Sequence, residues 1–196
     1  MTGLYPRERV EAILRRLTIS VAHRILLNTS MADPLRGRPA PSRFCDGHSF
    51  GVIYASADFA TSFVEVLVRD RFVQRDQRIV PYGDVRTRSW VEIGLPHDNP
   101  LLLADLRGSG CVTLGAPTDA AHARNQSAGR ALARDLYAHH ADIDGVWYQS
   151  RLTGGECFAI FDRAFLRLSL LRSGELVHHP QLPHVLDAHE IKLEPM

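Results

Sequence analysis

Two apolar runs that read as strands flank a long stretch with no regular period, and this arrangement limits the folds open to the chain. The first run, Thr18-Ile19-Ser20-Val21-Ala22-His23-Arg24-Ile25-Leu26, alternates with period two. Ile19, Val21, His23 and Ile25 share one face; Ser20, Ala22, Arg24 and Leu26 share the other, so a charged residue stands late in an apolar strand. The second run, Gly51-Val52-Ile53-Tyr54-Ala55, reads as a buried strand. Between them, Asn28 to Phe50 is dense in proline, glycine and arginine, as in Asp33-Pro34-Leu35-Arg36-Gly37-Arg38-Pro39. Irregular stretches this long in a compact domain either carry function or stay unstructured.

The remaining elements come in mixed order. Pro6 to Leu17 places Val10, Ile13, Leu14 and Leu17 at helical spacing. Ser56 or Asp58 can cap a helix running from about Phe59 to Arg71, with Phe59, Phe63 and Val66 as its core stripe and Ser62, Glu65 and Arg69 on another side. Strands are expected over Arg88–Ile93, Leu101–Leu106, Asp144–Tyr148 and Glu156–Phe161, and a helix over Gln126–His140. From Leu166 onward one more strand or turn is expected. Short strands with helices inserted among them point to an α+β fold, read here as one domain over residues 1–196.

Composition excludes several function classes. With 23 basic and 22 acidic side chains among 196 residues, the net charge of +1 leaves no footprint for nucleic acid or an anionic membrane. Cys45, Cys111 and Cys157 are widely separated and form no CxxC pair, so neither a disulfide framework nor a zinc knuckle is indicated. The ten histidines contain no HExxH pattern, and the neighbours His139-His140 and His178-His179 point apart on any regular element, so no metal is expected. Gly154-Gly155 belongs to neither a dinucleotide fingerprint nor a P-loop. No apolar signal region opens the chain and no 18-residue apolar run occurs, so a soluble, cytoplasmic protein is expected.

Arg24, Arg43, Tyr54 and Glu65 are the candidates for chemistry, although each has an ordinary explanation when taken singly. Arg24 can reach solvent from an edge strand, Tyr54 can be core, and Glu65 can pair with Arg69 one helical turn on. Together with their surroundings they carry more. His23-Arg24-Ile25, Ser42-Arg43-Phe44, Gly51-Val52-Ile53-Tyr54-Ala55-Ser56 and Ser62-Phe63-Val64-Glu65-Val66 occur in that order. They are followed by Asp144-Gly145-Val146-Trp147-Tyr148-Gln149-Ser150-Arg151 and Cys157-Phe158-Ala159-Ile160-Phe161-Asp162. This series resembles the RES-domain family over about residues 18–165, flanked by an N-terminal helix (1–17) and a C-terminal extension (166–196). The arginine, glutamate and serine that name the family fall on Arg24, Glu65 and Ser150. Pro41-Ser42 stands where one branch has two glycines, and Gln149 where a proline is common.

The resemblance implies a fold like that of mono-ADP-ribosyltransferase toxins, with two small sheets around an NAD⁺ cleft. It also implies a bacterial toxin that consumes NAD⁺ as substrate and is restrained by an Xre-type helix-turn-helix antitoxin. Arg24, Tyr54 and Glu65 would be catalytic, and Arg43, Ser150 and Ser56 would bind NAD⁺. Arginine forks suit pyrophosphate, a flat phenol suits nicotinamide, and a carboxylate suits the positive charge that builds on the ribose as its bond to nicotinamide breaks. Water, phosphate and a target protein all remain open as ADP-ribose acceptor, and a homo-oligomer is compatible with the family. The competing reading is a non-catalytic nucleotide- or protein-binding module, in which Glu65→Ala leaves cellular activity unchanged.

Overall fold

Period-two alternation produces strands where it was expected, and the sheet they build fixes the position of every candidate residue. The computed structural model describes residues 3–17, 19–37 and 40–194. Its elements are α1 (Arg7–Ile13), β1 (Leu14–Arg16), β2 (Val21–Leu27), β3 (Val52–Ser56), α2 (Phe59–Phe63), β4 (Ile79–Pro81), α3 (Tyr82–Arg86), β5 (Arg88–Gly94) and β6 (Leu102–Asp105). They continue with α4 (Gly110–Leu114), α5 (Asp119–His122), α6 (Ser127–His139), β7 (Gly145–Gln149), β8 (Glu156–Phe161), β9 (Ser169–Glu175), α7 (Leu182–Ala188) and β10 (Lys192–Glu194). The class is α+β.

The two small sheets expected from the resemblance are not what forms. Eight strands make one large mixed sheet in the order β1-β6-β7-β8-β3-β2-β5-β9, and a separate parallel pair joins β10 to β4. Among the described residues of the large sheet, only β6 and β7 run parallel. Its middle is thin: β2 and β3 are registered at His23 opposite Ser56, whereas β2 pairs with β5 along its full length from Val21 to Leu27. Beyond that junction β2 and β3 part; among the described residues between them, Asn28–Ser30 form a short 3-10 turn and Ser42 bridges to Cys45.

Three apolar clusters hold the sheet in place. One packs α1, α4 and α6 on β3, β7 and β8 through Phe44, Phe50, Leu132, Leu136 and Phe161. Another lies on the opposite face around Ile53, Val91, Leu103, Phe158 and Ile160. The third joins α2 to the C-terminal segment through Phe59, Phe63, Leu67, Val80, Val185 and Ile191.

Several elements differ from the sequence reading for identifiable reasons. The N-terminal helix stops at Ile13, and Leu14–Arg16 extends to pair antiparallel with β6, which satisfies backbone groups at the sheet edge. The helix expected over Phe59–Arg71 is α-helical only to Phe63. Val64–Val68 widens into a π turn, closed by Arg69 N–H donating to Val64 O at 2.9 Å. That extra residue rotates Val66 out of the core to 37% exposure and puts Leu67 in its place at 3%. The segment after Leu166 builds more than one strand: β9 adds an edge to the large sheet, and α7 and β10 cover the third cluster. Among the described residues, no helix is long and apolar enough to cross a membrane.

Candidate active site

Tyr54 sits centrally in β3, on the same face as Val52 and Ser56. Its hydroxyl accepts the Phe44 N–H at 2.7 Å and lies 2.9 Å from the Ser42 hydroxyl. The phenol therefore grips the irregular segment on both sides of Arg43. Burial pushes its pKa up to about 12, so it stays neutral at physiological pH. Arg43 is half-buried; its guanidinium donates to Ala123 O at 2.8 Å, and burial lowers its pKa from the usual arginine value.

Glu65 comes from the other side of the cleft. Asp58 caps α2, accepting the Thr61 N–H at 2.7 Å and the Thr61 hydroxyl at 2.9 Å; Ser56, the alternative cap, instead ends β3. Glu65 lies in the following π turn and accepts the Ser150 hydroxyl at 2.6 Å. The expected i,i+4 pairing with Arg69 does not form between side chains: Arg69 donates to the Glu65 backbone carbonyl instead. Ser150 in turn accepts N–H groups from Leu152 and Thr153, at 3.1 and 3.3 Å, which folds the turn after β7 around its oxygen.

Arg24 projects from β2 where β2 and β3 part. Its guanidinium donates to Pro34 O at 3.0 Å, tying down the turn at residues 33–36. The opening forms a cavity of about 730 Å³ lined by Arg24, Asp33, Arg36, Ser42, Val52 and Tyr54, among others. A second cavity, of about 370 Å³, is lined by Arg43, Glu65, Arg69, Arg124, Tyr148 and Arg151, again with Ser42 and Tyr54. The Ser42–Tyr54 contact is thus the wall shared by two compartments of one cleft. Ser56 is 2% exposed, lines neither cavity, and holds the sheet junction opposite His23.

The smaller compartment sets Arg43, Arg69, Arg124 and Arg151 against Glu65 and Asp70, an arrangement suited to an anionic ligand. Arg151 donates to Asp70 at 2.7 Å and holds that carboxyl below its usual range. Tyr148, edge-on to Phe44, is buried behind Arg43 and Glu65, and burial raises its pKa well above the usual phenol value. Behind it, burial also pushes the Cys157 thiol up to about 12, so it stays unionised. Sequence reasoning passed over Ser42, Tyr148, Arg124 and Arg151. Ser42, Tyr148 and Arg151 lie inside the quoted motifs, whereas Arg124 carries no local signal. Among the described residues no group of three or more His, Cys, Asp or Glu side chains is placed to hold a metal ion.

Residues 21–181 match the family model of the RES domain, so all six candidate residues fall inside the match. The chain belongs to the RES-domain family. A relative in Sinorhizobium fredii, the "Probable toxin y4kH", is 38% identical over 97 residues, which is 49% of this chain and 76% of the relative. Among solved structures, the crystal structure of the M. tuberculosis MbcT–MbcA toxin–antitoxin complex contains a chain similar in fold. Its TM-score is 0.70 at 19% identity, over 92% of this chain and 96% of that one. The likeness in fold covers a larger share of the chain than the RES match over residues 21–181.

Proposed function

We propose that this RES-domain protein is the toxin of a toxin–antitoxin pair and acts by cleaving the nicotinamide–ribose bond of NAD⁺. The observation that carries the reading is the meeting of Arg43, Tyr54 and Glu65, from three separate chain segments, in one compartment that shares Ser42 and Tyr54 with the Arg24 compartment, while buried Ser150 holds Glu65 from behind. Support comes from the toxin relative and from the toxin–antitoxin neighbour. An ADP-ribosyltransferase-like arrangement of the cleft is part of the same proposal. So is an Xre-type helix-turn-helix antitoxin, as is a cytoplasmic location.

The chemistry follows from what the residues can do. Ligand pockets commonly enclose about 300–1,000 Å³, and both compartments are of that order. An elongated dinucleotide spans two compartments better than one. Arg43 and Arg24 supply charge-assisted donors for the pyrophosphate and its neighbouring hydroxyls. The bond between ribose C1′ and the nicotinamide ring nitrogen breaks with its electron pair leaving on nitrogen, so nicotinamide departs neutral and needs no proton. Positive charge then grows on the ribose, where the Glu65 carboxylate, aimed by Ser150, stabilises it more in the transition state than in the ground state. An acceptor attacks C1′ and releases its proton. Water, phosphate or a protein side chain can fill that role.

Nicotinamide release by purified protein tests the proposal, measured in plain buffer, with added phosphate, and with cell lysate. Turnover in plain buffer identifies a hydrolase, and phosphate-dependent turnover identifies a phosphorylase. Label from NAD⁺ on a lysate protein identifies a transferase. Expression in a bacterial host is expected to arrest growth, and Glu65→Gln is expected to relieve the arrest. Absence of nicotinamide under all three conditions, with growth arrest unaffected by Glu65→Gln, leaves the binding-module reading in its place.

A further inference from the structure

The turn after β7 is docked along α2 and the π turn by three rungs. At the first, Thr61 gives its hydroxyl proton to Asp58, so its oxygen accepts the Thr153 hydroxyl at 3.0 Å. The second is Ser150 to Glu65 at 2.6 Å, and the third Arg151 to Asp70 at 2.7 Å. The approach is close: a Cβ on Gly155 would lie 2.1 Å from the Thr61 hydroxyl oxygen.

The spacing of these rungs is informative. Positions four apart share a face of an α-helix, so an uninterrupted helix would follow Thr61 and Glu65 with Arg69. That would set Arg69 against Arg151, like charge against like. The π turn adds one residue, and Arg69 takes a positive φ of 41°, uncommon for a side-chain-bearing residue. Arg69 folds back onto the Glu65 carbonyl, and Asp70 takes the third rung.

We propose that Asp70 is a positioning residue for Glu65. It anchors Arg151, Arg151 holds the 150–155 turn, and that turn presents the Ser150 hydroxyl to the reacting carboxylate. The π turn is the register device that makes this possible. The inference rests on the proposed NAD⁺ chemistry for its kinetic consequence but on geometry alone for its structural one.

Asp70 is exposed, so Asp70→Asn leaves the core untouched. A partly exposed ion pair gives a modest effect: kcat for nicotinamide release is expected to fall about two- to fivefold while KM for NAD⁺ changes by less than about twofold. Amide exchange at Leu152 and Thr153, whose N–H groups bond to Ser150, should quicken by a similar factor. Exchanging the charges, Asp70→Arg with Arg151→Asp, is expected to restore slow amide exchange at Leu152 and Thr153, the readout that does not depend on ligand binding. Unchanged exchange at Leu152 and Thr153 in Asp70→Asn overturns the proposal, as does failure of the exchanged pair to restore it. The exchange measurement needs no turnover. A protein that releases no nicotinamide therefore counts against the proposed reaction and leaves this test intact.

Discussion

At the scale of the residue, Tyr54 shows how one hydroxyl can set the position of a charge it does not touch. Its oxygen bonds to Ser42 and Phe44, the residues on either side of Arg43. Phe44 is fully buried, so losing that acceptor strands a backbone N–H away from water at a cost of about 1–3 kcal/mol. Tyr54→Phe is accordingly expected to loosen the segment that carries Arg43. KM for NAD⁺ should rise about tenfold and kcat change by less than about threefold. The pH profile of kcat should keep its shape, because a phenol held at about 12 does not titrate in the working range. Steady-state kinetics from pH 6 to 9 check this; a lost alkaline limb would make Tyr54 a proton donor instead. The hydroxyl's role was not legible in the sequence. The motif series that resembles the RES-domain family marks Arg43, Tyr54 and Glu65, but both bonds to the hydroxyl span ten or more positions and leave no local period.

At the scale of the element, legibility followed periodicity. β2, β5, β8 and α6 lie within a few residues of where the sequence placed them, because each buries apolar side chains against a continuous core, α6 from one face and β8 from both. The π turn escaped that reasoning. A 3.6-residue period assigns Val66 to the core, whereas the added residue of the π turn, closed by the Arg69 N–H on Val64 O, puts Leu67 there instead. The docking of α2 was equally hidden. His179, 5% exposed, stacks on Phe59 with ring centres 3.5 Å apart and meets Trp90 edge-on. Burial first, then repulsion from His23 and Arg172, lowers its pKa from 6.5 to about 4 against an opposing pull from Glu92. The unfolded chain therefore binds the His179 proton between about pH 6.5 and pH 4 while the folded chain does not. Stability is fully present above the upper value and declines as pH falls toward the lower. The decline should be on the order of 2 kcal/mol. His179→Phe, which keeps the stack, should flatten that part of the curve in urea titrations at pH 4, 5 and 7. Equal acid sensitivity in both proteins would assign it to other groups.

At the scale of the whole molecule, the structure beyond the RES match supports the element that carries Glu65. The match ends at residue 181, whereas α7 and β10 lie at 182–194. Leu182, Val185 and Ile191 are at most 6% exposed and share a cluster with Phe59, Phe63 and Leu67 of the Glu65-bearing segment. β10 also closes a parallel pair with β4. Burying three aliphatic side chains contributes roughly 1.5–3 kcal/mol each, so removing them costs on the order of 5 kcal/mol. A protein of this size is stable by about 5–15 kcal/mol in total, so the loss is a large fraction of the whole. A chain ending at Gln181 is therefore expected to melt at least about 10 °C lower, or to fail to accumulate in soluble form. If it stays soluble, its nicotinamide release should fall more steeply on warming than that of the full chain, because α2 loses the surface it rests on. A melting temperature within about 2 °C of the full chain would mean that the main sheet and the first two clusters hold α2 alone, and that α7 and β10 cover it without supporting it.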